Sequence, residues 1–221
     1  MFTIKICGIT RPEDAQAIAA AGADAIGLNF YAKSPRAIDA DRARTIIAAL
    51  PPGIVKVGLF VNALPENICH RCDELGLDLI QLHGDEPPDF LVKLGGRPVM
   101  KALRAAGSQG ISLICDYLSA CRTLGCLPRM VLLDAPLKDG FGGSGKLADW
   151  SLAKEYQAME GMPPLVLAGG LKSENVAEAI RATGVRSVDT ATGVESQPGI
   201  KDAAAVAAFV RAATAAWGGR G

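Results

Sequence analysis

Pro128 to Trp150 reads PRMVLLDAPLKDGFGGSGKLADW. An apolar run from Met130 to Leu133 ends on Asp134, and glycines follow at 140, 142, 143 and 145 before a new pattern begins at Asp149. A short run of Val and Leu without polar interruption suits a strand covered on both faces, as in a parallel sheet. α/β folds keep their chemistry on the loops beyond the C-terminal ends of such strands. Asp134 therefore has two readings: the acid of an active site, or a side chain that caps its own turn. The glycines behind it are the material of a loop that closes over a bound molecule.

Working outward from this unit, the same pattern recurs along the chain. Apolar runs at 2–7, 25–30, 54–61, 77–82, 98–103, 130–134, 165–168 and 186–190 predict strands. Between them, Ala-rich segments at 12–21, 39–50, 65–75, 87–94, 110–121, 149–159, 173–182 and 201–217 predict helices. Thr10 before Arg11-Pro12-Glu13, Asp39, and Ser173 with Glu174 mark helix starts. Eight strand–helix units in 221 residues sit near the lower size limit of a (β/α)₈ TIM barrel. Closure of eight strands removes both sheet edges. An open doubly wound sheet has the same periodicity and stays open as an alternative. Without linker or composition shift, residues 1–221 read as a single domain.

Bulk composition narrows the function classes. Hydrophobic residues make up 49% of the chain, enough for a core without disulfide or metal staples. The 23 Lys and Arg balance 23 Asp and Glu, and no basic run of the nucleic-acid type occurs. Cysteines at 7, 69, 72, 115, 121 and 126 read as reduced thiols. MFTIKICGIT lacks the parts of a signal peptide, and no apolar run is long enough to span a bilayer. The expectation is a cytoplasmic protein with a small-molecule partner and no dealings with nucleic acid or membrane. Monomer and homodimer are equally compatible with the sequence.

The strand ends collect unusual residues: Cys7-Gly8, Asn29-Phe30, Phe60-Val61-Asn62, Gln81-Leu82-His83-Gly84-Asp85, Lys101-Ala102-Leu103, Asp134, Gly169-Gly170, and Asp189-Thr190-Ala191-Thr192-Gly193. In a barrel these all lie at one face. Cys7 is a base or nucleophile if a nearby positive charge favours its thiolate, and an inert buried thiol otherwise. Lys5, two residues back on the same strand face, is a candidate for that charge. Gly169-Gly170 and Thr192-Gly193 follow the seventh and eighth strands, where barrels hold phosphate through backbone N–H groups. Lys33-Ser34-Pro35-Arg36 follows the second strand, and the Arg36 fork suits a carboxylate or phosphate. His83 is one of two histidines and ends the fourth strand. Gly140-x4-Gly145-Lys146 falls short of a P-loop because Leu147 stands where Ser or Thr belongs. Cys69-His70-Arg71-Cys72 sits inside a helix pattern with no second ligand pair, which argues against zinc or redox chemistry.

KICGIT, FYAKSPRAI, VGLFVN, IQLHGDE, LLDA with GGSGK and DW, LAGGL and DTATGVESQPGIKD run in order along the whole chain. Together they resemble phosphoribosylanthranilate isomerase, a (β/α)₈-barrel family of tryptophan biosynthesis. The resemblance implies an Amadori rearrangement with no metal or organic cofactor. It implies Cys7 as general base, Asp134 as general acid, Arg36 facing the anthranilate carboxylate, and the two glycine loops on the substrate phosphate. His83 falls in the implied pocket without an assigned role. Acid–base catalysis at neutral pH then asks for a lowered thiol pKa at Cys7 and a raised carboxyl pKa at Asp134.

Two motifs depart from the family's commoner forms: GGSGK in place of GGTGK, and TATGVE in place of SSGVE. Both keep a hydroxyl and the glycine. Indole-glycerol-phosphate synthase, a sugar-phosphate epimerase and a dual-substrate tryptophan and histidine pathway isomerase are the neighbouring alternatives. A silent phosphate-binding scaffold is the non-enzymatic one, and it has no use for Cys7, Arg36 and Asp134 together.

Overall fold

A computed structural model describes residues 1–135 and 147–218. Eight parallel strands close on themselves: β1 (Ile4–Cys7), β2 (Ala25–Asn29), β3 (Val55–Phe60), β4 (Leu79–Leu82), β5 (Val99–Leu103), β6 (Met130–Leu133), β7 (Leu165–Leu167) and β8 (Ser187–Thr190). The final pairing, of β8 with β1, sets Ile4 beside Val188 and Lys5 beside Asp189. This closure decides for the barrel over the open sheet. The outer ring is α1 (Pro12–Ala20), α2 (Ala40–Ala48), α3 (Pro65–Leu75), α4 (Pro88–Val92), α5 (Gly110–Thr123), α6 (Trp150–Gln157), α7 (Val176–Thr183) and α8 (Ala203–Gly218).

Each strand is buried on both faces, yet the period of two still sorts its side chains. One set, with Ala25, Val57, Leu79, Met100, Ala102, Met130, Leu132, Val166 and Ala168, packs together as the barrel lumen. The alternate set, with Ile4, Ile6, Ile26, Leu28, Val131, Leu133, Leu165, Leu167 and Val188, packs against helix residues such as Ile18, Ile46, Ile180 and Phe209. Register carries the lumen set around the barrel: Gly27 lies beside Val57, Leu59 beside Gln81, Met100 beside Met130, and Leu132 beside Val166.

Helix starts follow the sequence signals in part. Asp39 caps α2 by accepting from Arg42 N–H at 2.8 Å, and Asp149 caps α6 through Ser151 and Leu152 N–H. Thr10 does not cap α1, since its hydroxyl donates to Gly199 O at 2.5 Å. The seventh helix begins at Val176, three residues after the predicted Ser173. The last helix begins at Ala203 because Ile200 and Lys201 form β10 (Ile200–Lys201) of an antiparallel ribbon with β9 (Glu195–Gln197), an element the periodicity did not reveal. No described helix is long and apolar enough to cross a membrane.

Candidate active site

Lumen-facing positions at the C-terminal strand ends are where a closed barrel can place polar groups without opening its core. Cys7 continues the lumen alternation of β1 from Lys5, His83 that of β4 from Gln81, and Asp134 that of β6 from Leu132. Gly27 makes room for the first pair: a Cβ there would lie 2.6 Å from Cys7 Sγ and 3.1 Å from Lys5 Cε. Any larger residue at position 27 would displace the thiol.

Cys7 is buried, as is Lys5, whose ammonium donates to Asp189 at 2.9 Å and reaches the Cys7 thiol. Burial pushes the Cys7 pKa up; Lys5 draws it back down without overcoming it, because Asp189 competes for the same ammonium and itself opposes the thiolate. Burial works against the Lys5 ammonium, but Asp189 and Cys7 together hold it charged.

Asp134 holds a partner on each of its two oxygens. One carboxylate oxygen accepts from Ala135 N–H at 2.8 Å, the turn cap, while the other lies 3.1 Å from His83 Nε2. Gln81 Nε2 stands 2.8 Å from His83 Nδ1, so Nδ1 accepts and Nε2–H donates to Asp134. Burial favours the neutral carboxyl. The His83 hydrogen bond, the Ala135 N–H and the Arg104 charge outweigh it and hold the Asp134 pKa below the ordinary carboxylate value. Both directions run opposite to those expected of a thiolate base and a protonated acid: in the free protein the proton sits on sulfur. Lys5 divides its charge between Asp189 and Cys7, whereas His83, Ala135 N–H and Arg104 all favour the Asp134 carboxylate.

Arg36 lies against the first strand's end, where a Cβ on Gly8 would come within 2.3 Å of Arg36 Cδ. Gly8 itself has φ +76°, so the close approach and the backbone both call for glycine. The carboxylate that Arg36 meets is Glu195, held side-on through Nε at 2.7 Å and Nη2 at 2.6 Å. Lys201 Nζ donates to the same Glu195 at 2.7 Å and to Ala191 O at 3.1 Å. Ser34 positions the turn, accepting from Asn29 Nδ2 and Arg36 N–H.

The loops after β7 and β8 are bound to one another. Thr190 Oγ1 donates to Leu171 O at 2.7 Å, and a Cβ on Gly193 would lie 2.0 Å from that same carbonyl. Gly169 and Gly170 take φ +76° and +60°, and Gly193 lies in a short 3₁₀ turn, Thr192–Val194. The N–H groups of Gly169, Gly170, Thr192 and Gly193 donate to no other described residue. A Cβ on Gly169 would approach Ala135 N within 2.8 Å, which brings this rim against the chain beside Asp134. The eight site residues thus gather at one end of the lumen. The predicted closing loop, with Gly140, Gly142, Gly143 and Gly145, lies outside the described residues. Sequence reasoning gave no role to Asp189, Glu195, Lys201 or Gln81; the only signal for them was their place within the quoted motifs.

A family model described as N-(5'phosphoribosyl)anthranilate (PRA) isomerase matches residues 4–212. The chain belongs to that family. An N-(5'-phosphoribosyl)anthranilate isomerase of Acidithiobacillus ferrooxidans is 47% identical over 210 residues, covering 95% of this chain and 96% of that one. The phosphoribosyl anthranilate isomerase of Thermotoga maritima superposes with a TM-score of 0.85 at 39% identity, over 97% of this chain and 100% of that one. Another structure, of the isomerase in complex with reduced 1-(o-carboxyphenylamino)-1-deoxyribulose 5-phosphate, matches at 0.82 and 36% identity, over 97% of this chain and 100% of that one. The resemblance carried by the motifs is therefore a family membership, and the isomerase reading stands over the neighbouring barrels.

Proposed function

We propose that this isomerase converts N-(5'-phosphoribosyl)anthranilate to 1-(2-carboxyphenylamino)-1-deoxyribulose 5-phosphate, the Amadori step of tryptophan biosynthesis, in the cytoplasm, as a monomer or homodimer. The observation that carries it is the placement of a thiol, Cys7, and a carboxyl, Asp134, on lumen-facing strand ends at the face where the N–H groups of Gly169, Gly170 and Gly193 donate to no other described residue. The glycine N–H groups of the β7 and β8 loops receive the phosphate, and Arg36 faces the anthranilate carboxylate.

Asp134 gives its proton to the furanose ring oxygen, and the C1′–O bond breaks to leave a protonated Schiff base. The Cys7 thiolate removes the proton from C2′, and the electron pair moves to C1′–C2′ to give an enolamine. Proton return to C1′ as the C2′ hydroxyl loses its own yields the ketone and restores the balance. Reaching this sequence from the free protein requires moving one proton from Cys7 to Asp134. The substrate's anionic groups favour the protonated carboxyl, and the iminium formed on ring opening favours the thiolate. His83, donating to Asp134, orients the acid and stabilises the carboxylate left after proton transfer.

The test is loss of phosphoribosylanthranilate fluorescence on addition of purified protein, with the histidine-pathway aminoaldose assayed in parallel. Turnover of the first alone supports the reading. Turnover of both makes the enzyme a dual-substrate isomerase, and turnover of neither leaves the silent scaffold.

A further inference from the structure

Lys201, Glu195 and Arg36 form a chain of alternating charge along one edge of the site. Lys201 is buried with a side chain 1% exposed, Glu195 with one 5% exposed, and Arg36 with one 12% exposed. Glu195 takes the side edge of the guanidinium, Nε and Nη2, so only the end edge, Nη1 with the second Nη2 hydrogen, remains for a ligand. Nη1 makes no hydrogen bond among the described residues. A fork whose side edge is locked presents its end edge in one direction.

Charge raises a difficulty that the geometry resolves. An Arg36–Glu195 pair alone is neutral and gives an incoming carboxylate little net attraction. Lys201, seated on the same Oε1 that receives Arg36 Nε, restores a net charge of +1 to the three groups taken together. Because all three are largely removed from solvent, that charge is weakly screened at the end edge. Lys201 itself is oriented from behind, since Ala191 O accepts from its ammonium and its backbone N–H donates to Asp14 at 3.1 Å. The ribbon of β9 and β10 supplies both Glu195 and Lys201, which gives that otherwise peripheral element a purpose.

We infer that Glu195 and Lys201 are positioning residues for substrate discrimination: Glu195 aims the Arg36 fork, and Lys201 cancels the Glu195 charge so that Arg36 still attracts an aromatic carboxylate. This rests on the reading of Arg36 as the carboxylate ligand. Neither residue touches substrate.

The test compares binding of reduced 1-(o-carboxyphenylamino)-1-deoxyribulose 5-phosphate with that of its counterpart lacking the carboxylate, by calorimetry. Lys201→Met and Lys201→Gln are expected to weaken the carboxylate-bearing compound at least about fivefold more than the other. Lys201→Gln keeps a donor for Glu195 and Ala191, so it carries the test where the Met variant does not fold. Lys201→Arg is expected to restore the preference. In an Arg36→Ala background the Lys201 substitutions are expected to add no further loss of preference. Lys201 variants that weaken both compounds equally, or that retain their selective effect without Arg36, overturn the inference. An Arg36→Ala protein that keeps the wild-type preference overturns the underlying reading of Arg36 as well.

Discussion

On the β1–β8 side of the lumen, Cys7 lies near two buried ammonium groups, Lys5 and Lys201, and a guanidinium, Arg36, yet its pKa is raised. On the β4–β6 side, Asp134 faces an imidazole N–H, a backbone N–H and one arginine, yet its pKa is lowered. The side richer in positive charge fails to ionise its group, and the side poorer in it succeeds. The difference lies in commitment. Lys5 is tied to Asp189, while Lys201 and Arg36 are tied to Glu195, so each cation near Cys7 already has an anion. The donors at Asp134 address its two oxygens directly. Hydrogen bonds aimed at a charged form outperform charges that are shared.

The strongest way to test the division of labour is to remove each group in turn. Cys7→Ala and Asp134→Asn are each expected to lower kcat at least about a hundredfold with the circular dichroism spectrum unchanged. Wild-type-like turnover in either variant would dismiss that residue from the chemistry. Arg36→Ala is expected to raise KM about tenfold while kcat falls far less, because the lost contact is made equally in ground and transition states. A kcat loss that exceeds the KM gain would move Arg36 from binding to catalysis.

A finer prediction concerns pH. The reactive form, Cys7 thiolate with Asp134 acid, carries as many protons as the resting thiol and carboxylate. kcat/KM is therefore expected to stay level between the two pKa values. It falls below the lowered Asp134 value, where both groups are protonated, and above the raised Cys7 value, where neither is. Removing the lumen pair together, in Lys5→Met with Asp189→Asn, is expected to carry the alkaline limb higher, because Lys5 lowers the Cys7 pKa more than Asp189 raises it. An unmoved alkaline limb would show that Lys5 does not speak to Cys7. The smallest effect is expected of His83→Leu, which withdraws a donor from the Asp134 carboxylate and shifts the acid limb upward, with the alkaline limb in place. A shift of the alkaline limb instead would break the separation of the two sides.

Much of this site was legible one strand at a time. The period of two along Met130, Leu132 and Asp134 aims the acid at the lumen as soon as 130–133 is read as a strand, and the same holds for Gln81 and His83. Capping was legible at Asp39, where the side chain meets its own helix. It failed at Thr10, whose hydroxyl is drawn instead to Gly199, a residue 189 positions away. The ribbon of β9 and β10 was missed because two short strands within a glycine-containing turn have no periodicity to show.

The sequence by itself determined the eight-unit order, the lumen-facing alternation, and the glycines at 169, 170 and 193, where the backbone conformation or a close neighbour leaves no place for a Cβ. Those are local properties, fixed by side-chain size, β-branching and the absence of a Cβ. Tertiary structure alone decided which charges meet. Lys5 finds Asp189 across 184 residues because the eighth strand closes on the first, and Arg36 finds Glu195 across 159 because the ribbon folds back over the second loop. Protonation at Cys7 follows from the first of those meetings and from burial, and that at Asp134 from the approach of His83, 51 residues away, added to the local Ala135 N–H.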